Sequence, residues 1–204
     1  MLSSQIRTLW LSILGCVFWA SSSLAASFSP LLLNDDKYDD AIRSAVKRDW
    51  PDFDDWRYWK AQLFQESRLN PDAVSPVGAA GIAQFMPGTW ADVTKQLGWS
   101  GISSNQADAA IEAGAFYMGK LRRSWTAPRP KLEQHFLGLA SYNAGTGNIV
   151  KAQKLCGGAL YFATPSRIPE KTIAMCLPQV TGSLAQQTID YVAKIQDWRK
   201  QLEK

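Results

Sequence analysis

From about residue 37 to the C-terminus, apolar positions recur at the 3.6-residue spacing of amphipathic helices and not at the alternation of strands. In "DDKYDDAIRSAVKRDW", Tyr38, Ile42, Ala45 and Val46 share one face, which predicts a helix capped by Asp35 or Asp36 and ended by Pro51. "DDWRYWKAQLFQESRL" predicts a second helix from about Asp54, with Trp56, Trp59, Leu63 and Glu66 along one stripe. Asn70–Pro71 is expected to stop it, because a residue before proline is pushed out of the helical region. Helical patterns resume in "TWADVTKQLG", "NQADAAIEAGAFYMGKLRRSW" and "KLEQHFLGLASYNAG", the last ending at Gly145. A final helix in "SLAQQTIDYVAKIQDWRKQLEK" puts Leu184, Ile189, Val192, Ile195 and Trp198 near helical spacing. With no repeat, no low-complexity tract and no convincing strand run, the expected fold is mainly α, in one domain spanning residues 37–204.

Glu66 is the exception in its stripe. A carboxyl pointing toward the core or a cleft floor loses hydration, and the negative end of the helix dipole lies beside it; both raise its pKa. A carboxyl kept protonated near neutral pH is what a general acid requires. The structural alternatives are a side chain that swings to solvent, or one paired with Arg68 or Lys60. The following "SPVGAAGIAQFMPGTW" alternates glycines with Pro76 and Pro87, a composition for tight turns and close backbone approach. Within it Gln84 offers a donor and an acceptor to an amide or hydroxyl of a ligand. Tyr142 and Asn143 fall in the last turn of the helix ending at Gly145.

The N-terminus changes the cysteine count. "MLSSQIRTLWLSILGCVFWASSSLAAS" has one charge, an apolar run and small residues at Ser23 and Ala25, the pattern of a signal peptide cleaved after Ala25. Residues 26–36 then read as a linker. Two rival readings take Cys16 as a lipidated lipoprotein cysteine, or the run as an uncleaved inner-membrane anchor. In an exported chain, here expected in the periplasm, Cys156 and Cys176 form an even pair whose default state is a disulfide. Such a bridge constrains the unfolded chain by roughly 3 kcal/mol in the entropy model. His135 is the sole histidine and no CxxC motif exists, so zinc and histidine-based nucleophilic catalysis lack support. The reading calls for no cofactor. Residues 34–111 carry eight Lys/Arg against twelve Asp/Glu and residues 112–204 thirteen against six, without a nucleic-acid-binding motif. Of the nine tryptophans, Trp90, Trp99 and Trp125 are candidates for stacking on a ligand, and Trp50, Trp56 and Trp59 for the core.

"ESRLNPDAVSPVGAAGIAQFMPGTW", "SYNAGTGNI" and "QTIDYVAKI", in that order, resemble the three motifs of the soluble-type lytic transglycosylase (SLT) domain, across roughly residues 50–198. The resemblance implies a mainly α, lysozyme-like (α+β) fold with a glycan cleft, acting on peptidoglycan strands. It places Glu66 as the catalytic acid/base, Ser75 as the serine supporting it, and Gln84 and Met86 along the cleft. It places Tyr142 as the tyrosine approaching the acid, Asn143 as a sugar contact and Tyr191 as the aromatic of the last motif. Two features depart from the family pattern: Gln187 stands where a glutamate is usual, and residues 153–183 look like a disulfide-tied insertion.

Most glycosidases use two carboxyls, and Asp72, the acid nearest Glu66, reads better as a turn residue. One carboxyl suffices if the substrate supplies its own nucleophile. Glu66 would protonate the oxygen between MurNAc and GlcNAc, then take the proton of the MurNAc C6 hydroxyl as it closes onto C1, leaving a 1,6-anhydro end. Two alternatives stay open: a hydrolase like goose-type lysozyme, and a catalytically silent peptidoglycan-binding protein. A role in opening the wall for a secretion or conjugation apparatus, or for a phage, is compatible with the chain.

Overall fold

The computed structural model describes residues 32–163 and 171–203 of the 204-residue chain. The signal-peptide segment, Cys16 and residues 164–170 of the expected insertion lie outside the described residues. Helices account for nearly all the regular structure: α1 (Asp39–Asp49), α2 (Trp56–Ser67), α3 (Pro87–Leu97), α4 (Ala107–Arg123), α5 (Lys131–Ala144), α6 (Thr146–Leu155), the short α7 (Ile173–Cys176) and α8 (Pro178–Thr181), and α9 (Ala185–Gln201). The β-structure among the described residues is two isolated bridges, Val74 with Ala80 and Ala80 with Phe85.

Helix α1 buries Ile42, Ala45 and Val46, as its periodicity requires, but starts at Asp39. Asp35 does not cap it: its carboxylate accepts the N–H of Lys37 at 3.0 Å, an interaction that competes with helix. The end of the expected linker already belongs to the fold, since Leu33 is fully buried. Helix α2 begins at the N-cap Asp55, whose carboxylate accepts the N–H of Arg57 at 3.3 Å. It stops at Ser67, ahead of Asn70–Pro71, because Arg68 and Leu69 both turn into the left-handed region at φ 59° and 61°. Helix α6 and the two short helices after it were not among the expected elements.

Buried indoles tie the core together. Trp50 Nε1 donates to the carbonyl of Ala115 at 2.8 Å and Trp59 Nε1 to that of Ile111 at 3.2 Å, which fixes α1 and α2 against α4. Gly114 makes room for this, because a Cβ there would lie 2.5 Å from the Trp59 ring. Helix α9 runs antiparallel to α2, held at one end by Tyr191 on Glu66 and at the other by Arg199 on Asp55, at 2.6 Å. Cys156 and Cys176 are joined by a disulfide with Cα atoms 5.7 Å apart. Just after Cys156 the chain docks on α5, where the buried Glu133 carboxylate accepts the N–H of the fully buried Phe162 at 3.1 Å.

Candidate active site

Glu66 sits in the last turn of α2, half-buried, where the chain leaves the helix through the left-handed pair Arg68–Leu69. The next residue, Ser67, donates its hydroxyl to the carbonyl of Ile82 at 2.8 Å and fastens the helix end to the Gly/Pro loop. That loop folds on itself. Ser75 N–H donates to the Ala79 carbonyl at 2.8 Å, Ala80 and Phe85 exchange a bond in each direction at 3.0 Å, and Gly81 N–H reaches the Ala73 carbonyl at 2.9 Å. Gly81 is required here on two counts: its φ is +82°, and a Cβ would lie 1.9 Å from the carbonyl oxygen of Ser104.

The alternatives open for Glu66 in the sequence are settled by its neighbours. Lys60 is buried and paired with Asp39 at 2.5 Å, and the Arg68 guanidinium lies over Phe64 and Trp198. Glu66 instead accepts a hydrogen bond on Oε1 from the Tyr191 hydroxyl, 2.5 Å away. Burial pushes its carboxyl up from the ordinary 4.5 to about 7, and the Tyr191 hydrogen bond, which favours the carboxylate, offsets part of that rise. Among the described residues no second carboxylate adds to the shift. Asp72 is exposed, with its N–H tied to Asn70 Oδ1 at 2.9 Å in a turn.

Both tyrosines lie close to the acid, and one of them bonds it. Tyr142 spends its hydroxyl on the Ala83 carbonyl at 2.7 Å, pinning the loop to α5, and it is Tyr191 of α9 that bonds the acid. Both hydroxyls are held well above the ordinary tyrosine range, by burial first and then by the nearby Glu66 charge. Tyr142, close enough to feel the Glu66 charge, also lines a recess with Gln84, Phe85, Met86, Thr89 and Tyr117.

The remaining expected residues divide by what their polar atoms are free to do. Gln84, at φ 48°, donates both amide hydrogens inward, to the Ala73 and Gly81 carbonyls at 3.1 and 2.9 Å, which leaves Oε1 as an acceptor. Asn143 Oδ1 accepts the Thr188 hydroxyl at 2.8 Å, leaving its Nδ2 as a donor. Ser75 does not bond to Glu66: its buried Oγ accepts the N–H of Ala79 at 2.9 Å, so it shapes the loop. Gln187 makes no side-chain hydrogen bond among the described residues. Met86 is half-buried at the N-cap of α3.

Trp125 leaves the set of sugar-stacking candidates. It is 4% exposed, with Nε1 donating to Ser141 Oγ at 3.1 Å. Trp90 and Trp99 stay half-buried. The reading of the sequence missed Gln62, one turn before Glu66 on the same face of α2, and Thr188, which orients Asn143. The i, i+4 spacing of Gln62 and Glu66 was the available signal for the first; the second has none, because 45 residues separate Thr188 from its partner.

A helical domain that keeps one desolvated, partly exposed carboxyl close to a tyrosine that lines a recess, with a second hydroxyl fixed on that carboxyl, has the arrangement acid–base catalysis needs. The chain belongs to the transglycosylase SLT domain family, whose model matches residues 53–160. It is similar to the membrane-bound lytic murein transglycosylase F of Pseudoalteromonas translucida, at 32% identity over 122 residues, covering 57% of this chain and 25% of that one. Its fold is that of the 70 kDa soluble lytic transglycosylase SLT70 of Escherichia coli, with a TM-score of 0.60 and 23% identity over 80% of this chain and 24% of that one. The lytic transglycosylase Slt of Pseudomonas aeruginosa, solved as an inactive Glu-to-Gln mutant, gives a TM-score of 0.59 and 20% identity over 83% of this chain and 25% of that one. The chain thus spans about a quarter of the length of these relatives.

Proposed function

We propose that the protein is a peptidoglycan lytic transglycosylase that cleaves the MurNAc-β-1,4-GlcNAc bond with Glu66 as its single acid and base. The observation that carries this reading is the place of the Glu66 carboxyl, in the last turn of α2 and bonded to the Tyr191 hydroxyl, where burial pushes its pKa up to about 7. In the first step the protonated carboxyl gives its proton to the glycosidic oxygen as the bond to C1 breaks. The Tyr191 hydroxyl stabilises the carboxylate that remains. In the second step that carboxylate takes the proton of the MurNAc C6 hydroxyl while its oxygen bonds to C1, so the 1,6-anhydro product forms and Glu66 is reprotonated. Among the described residues no second carboxylate contributes to the Glu66 shift, which suits this route, because the substrate supplies the nucleophile. Gln84 Oε1 is available to accept from an acetamido N–H or a hydroxyl, and Asn143 Nδ2 to donate to a sugar oxygen. The names of the relatives, and the glutamate substitution in an inactive one, support the reading.

Export to the periplasm is part of the same proposal, supported by the N-terminal pattern and by the joined Cys156 and Cys176. We read residues 153–183 as an insertion beside the cleft. The test is mass spectrometry of the sugars released from purified peptidoglycan by residues 26–204. Anhydro ends are expected, and reducing MurNAc ends would make the protein a hydrolase.

A further inference from the structure

Tyr142, in the last turn of α5, lines the recess described above; Thr146, the first residue of α6, lines a second and larger one, of about 190 Å³ against about 60 Å³. One wall of the second recess is the face of α6 that carries Thr146, Val150 and Gln153, and the other is the loop from Ser124 to Arg129 between α4 and α5. Among the described residues that line it, Arg129 alone is charged. Pro128 and Pro130 restrict its backbone on both sides. Its guanidinium is fixed as well: Nε donates to the Ala127 carbonyl at 3.0 Å, Nη1 to that of Leu160 at 2.9 Å, and its carbon lies 5.6 Å from the centre of the Trp125 ring. Two of five N–H groups are thereby used. Partial burial lowers the Arg129 pKa, and Glu133 opposes this only from a distance, its own carboxylate being taken by the Phe162 N–H.

The other groups of the recess suit an anion carried on a peptide. The hydroxyls of Thr126 and Thr146 have no hydrogen-bond partner among the described residues. No side chain caps α6, so the positive end of its dipole stays open at Thr146. Gln153 donates Nε2 to the Ala159 carbonyl at 2.9 Å, which leaves Oε1 to accept a peptide N–H. Ala127 and Val150 add half-buried apolar surface, which a bare phosphate would not use. A guanidinium fork held in place matches a carboxylate. We propose that this recess binds a carboxylate of the stem peptide, the short peptide that peptidoglycan carries on the lactyl group of MurNAc, with Arg129 on the carboxylate, Gln153 Oε1 on a peptide N–H, and Val150 and Ala127 against a small side chain. This rests on the reading of the protein as a peptidoglycan enzyme and deepens it, because cleavage then depends on the peptide as well as the glycan. The reach is sufficient: the Cα atoms of Tyr142 and Thr146, four residues apart, are separated by at most about 14 Å, which a peptide of four residues spans.

The test compares initial rates on whole peptidoglycan with those on the same glycan stripped of its peptides by an amidase. The parent is expected to favour the whole polymer by about tenfold in kcat/KM. Arg129→Gln is expected to lose about tenfold on the whole polymer, through KM, and to change by less than about twofold on the stripped one. Because Arg129 also holds two carbonyls, Val150→Glu is measured beside it: it sets a carboxylate into the recess, leaves those bonds alone, and should show the same split. Val150→Glu decides if Arg129→Gln does not fold. A parent indifferent to the peptides, or a Val150→Glu variant that loses equally on both polymers or on neither, would overturn the proposal. If the parent cleaves neither polymer, the functional reading fails on its own account, and calorimetry with the free stem peptide decides this one. Saturable binding that weakens about tenfold or more in Val150→Glu, and likewise when the peptide's carboxyls are converted to amides, supports the site. No binding, or binding indifferent to either change, overturns it.

Discussion

Helix α2 meets a buried titratable group near each of its ends. Near its start, Tyr58 joins Trp50 and Phe53 around His135 of α5, with ring centroids 4.8 to 5.1 Å from the imidazole. His135 is 0% exposed, and neither of its nitrogens has a hydrogen-bond partner among the described residues. Near its end, Glu66 is half-buried, bonded to Tyr191 and close to Tyr142, which lines an open recess. Desolvation acts on both groups and favours the neutral form of each. The imidazole is held well below its ordinary value, with the Arg122 charge pushing the same way, and the carboxyl is raised to about 7. Burial therefore does not distinguish a catalytic group from a structural one. Access does, together with a partner that favours the charged form once the proton has left.

The largest consequence is at the accessible end. Glu66→Gln removes the transferable proton and should lower the rate of sugar release by about 10²–10⁴-fold, read from initial rates on purified peptidoglycan. The same substitution should stabilise the fold. A carboxyl whose folded pKa lies above its unfolded value has no effect on stability while both states are protonated. It costs stability increasingly as pH rises from about 4.5 through 7, and the full cost stays above that. Thermal melts at pH 8 should place Glu66→Gln above the parent by on the order of 2–3 kcal/mol, with the gap closing below pH 5.

Tyr191→Phe removes the donor that stabilises the carboxylate. The expected outcome is a rate loss of about tenfold and an alkaline limb displaced to higher pH, measured as kcat/KM against pH. The smallest effect belongs to the closed end. His135→Phe should leave turnover within about twofold of the parent, because that ring is fully buried and lines no part of the recess. Its effect is on acid stability. A buried neutral imidazole binds fewer protons than the unfolded chain below the ordinary value of 6.5, so the parent loses stability as pH falls from there, and the variant should lose less. Urea unfolding at pH 7.5 and pH 5 checks this. A large turnover loss in His135→Phe would remove the distinction between the two ends.

How legible these two ends were depends on the distance over which their partners act. The stripe Trp59–Leu63–Glu66 could be read because a helix writes its buried face into a local period, and Trp59 and Leu63 are indeed fully buried. The motif order likewise brought Gln84, Met86 and Tyr142 to one recess. Three things escaped for physical reasons. Arg68 and Leu69 adopt positive φ without being glycine, so nothing in their side chains announced the early end of α2. The assignment of the acid's partner to Tyr191 depends on a contact across 125 residues, which no local pattern encodes. Trp125 offers the same aromatic face as Trp90, and only the packing of α5 over it shows that this face is closed. Of the two glutamines on the acid's side of the fold, Gln84 was visible through its motif, whereas Gln62 looked like one polar interruption in an apolar stripe.

The most direct measurement is the titration of the Glu66 carboxyl itself, followed by NMR of the ¹³C-labelled side-chain carbon and assigned by its loss in Glu66→Gln. A midpoint near 7, moving upward in Tyr191→Phe, is the result this account predicts. A midpoint at the ordinary value near 4.5, unmoved by the loss of the Tyr191 hydroxyl, would mean that Glu66 is ionised at neutral pH and cannot be the acid that starts the reaction.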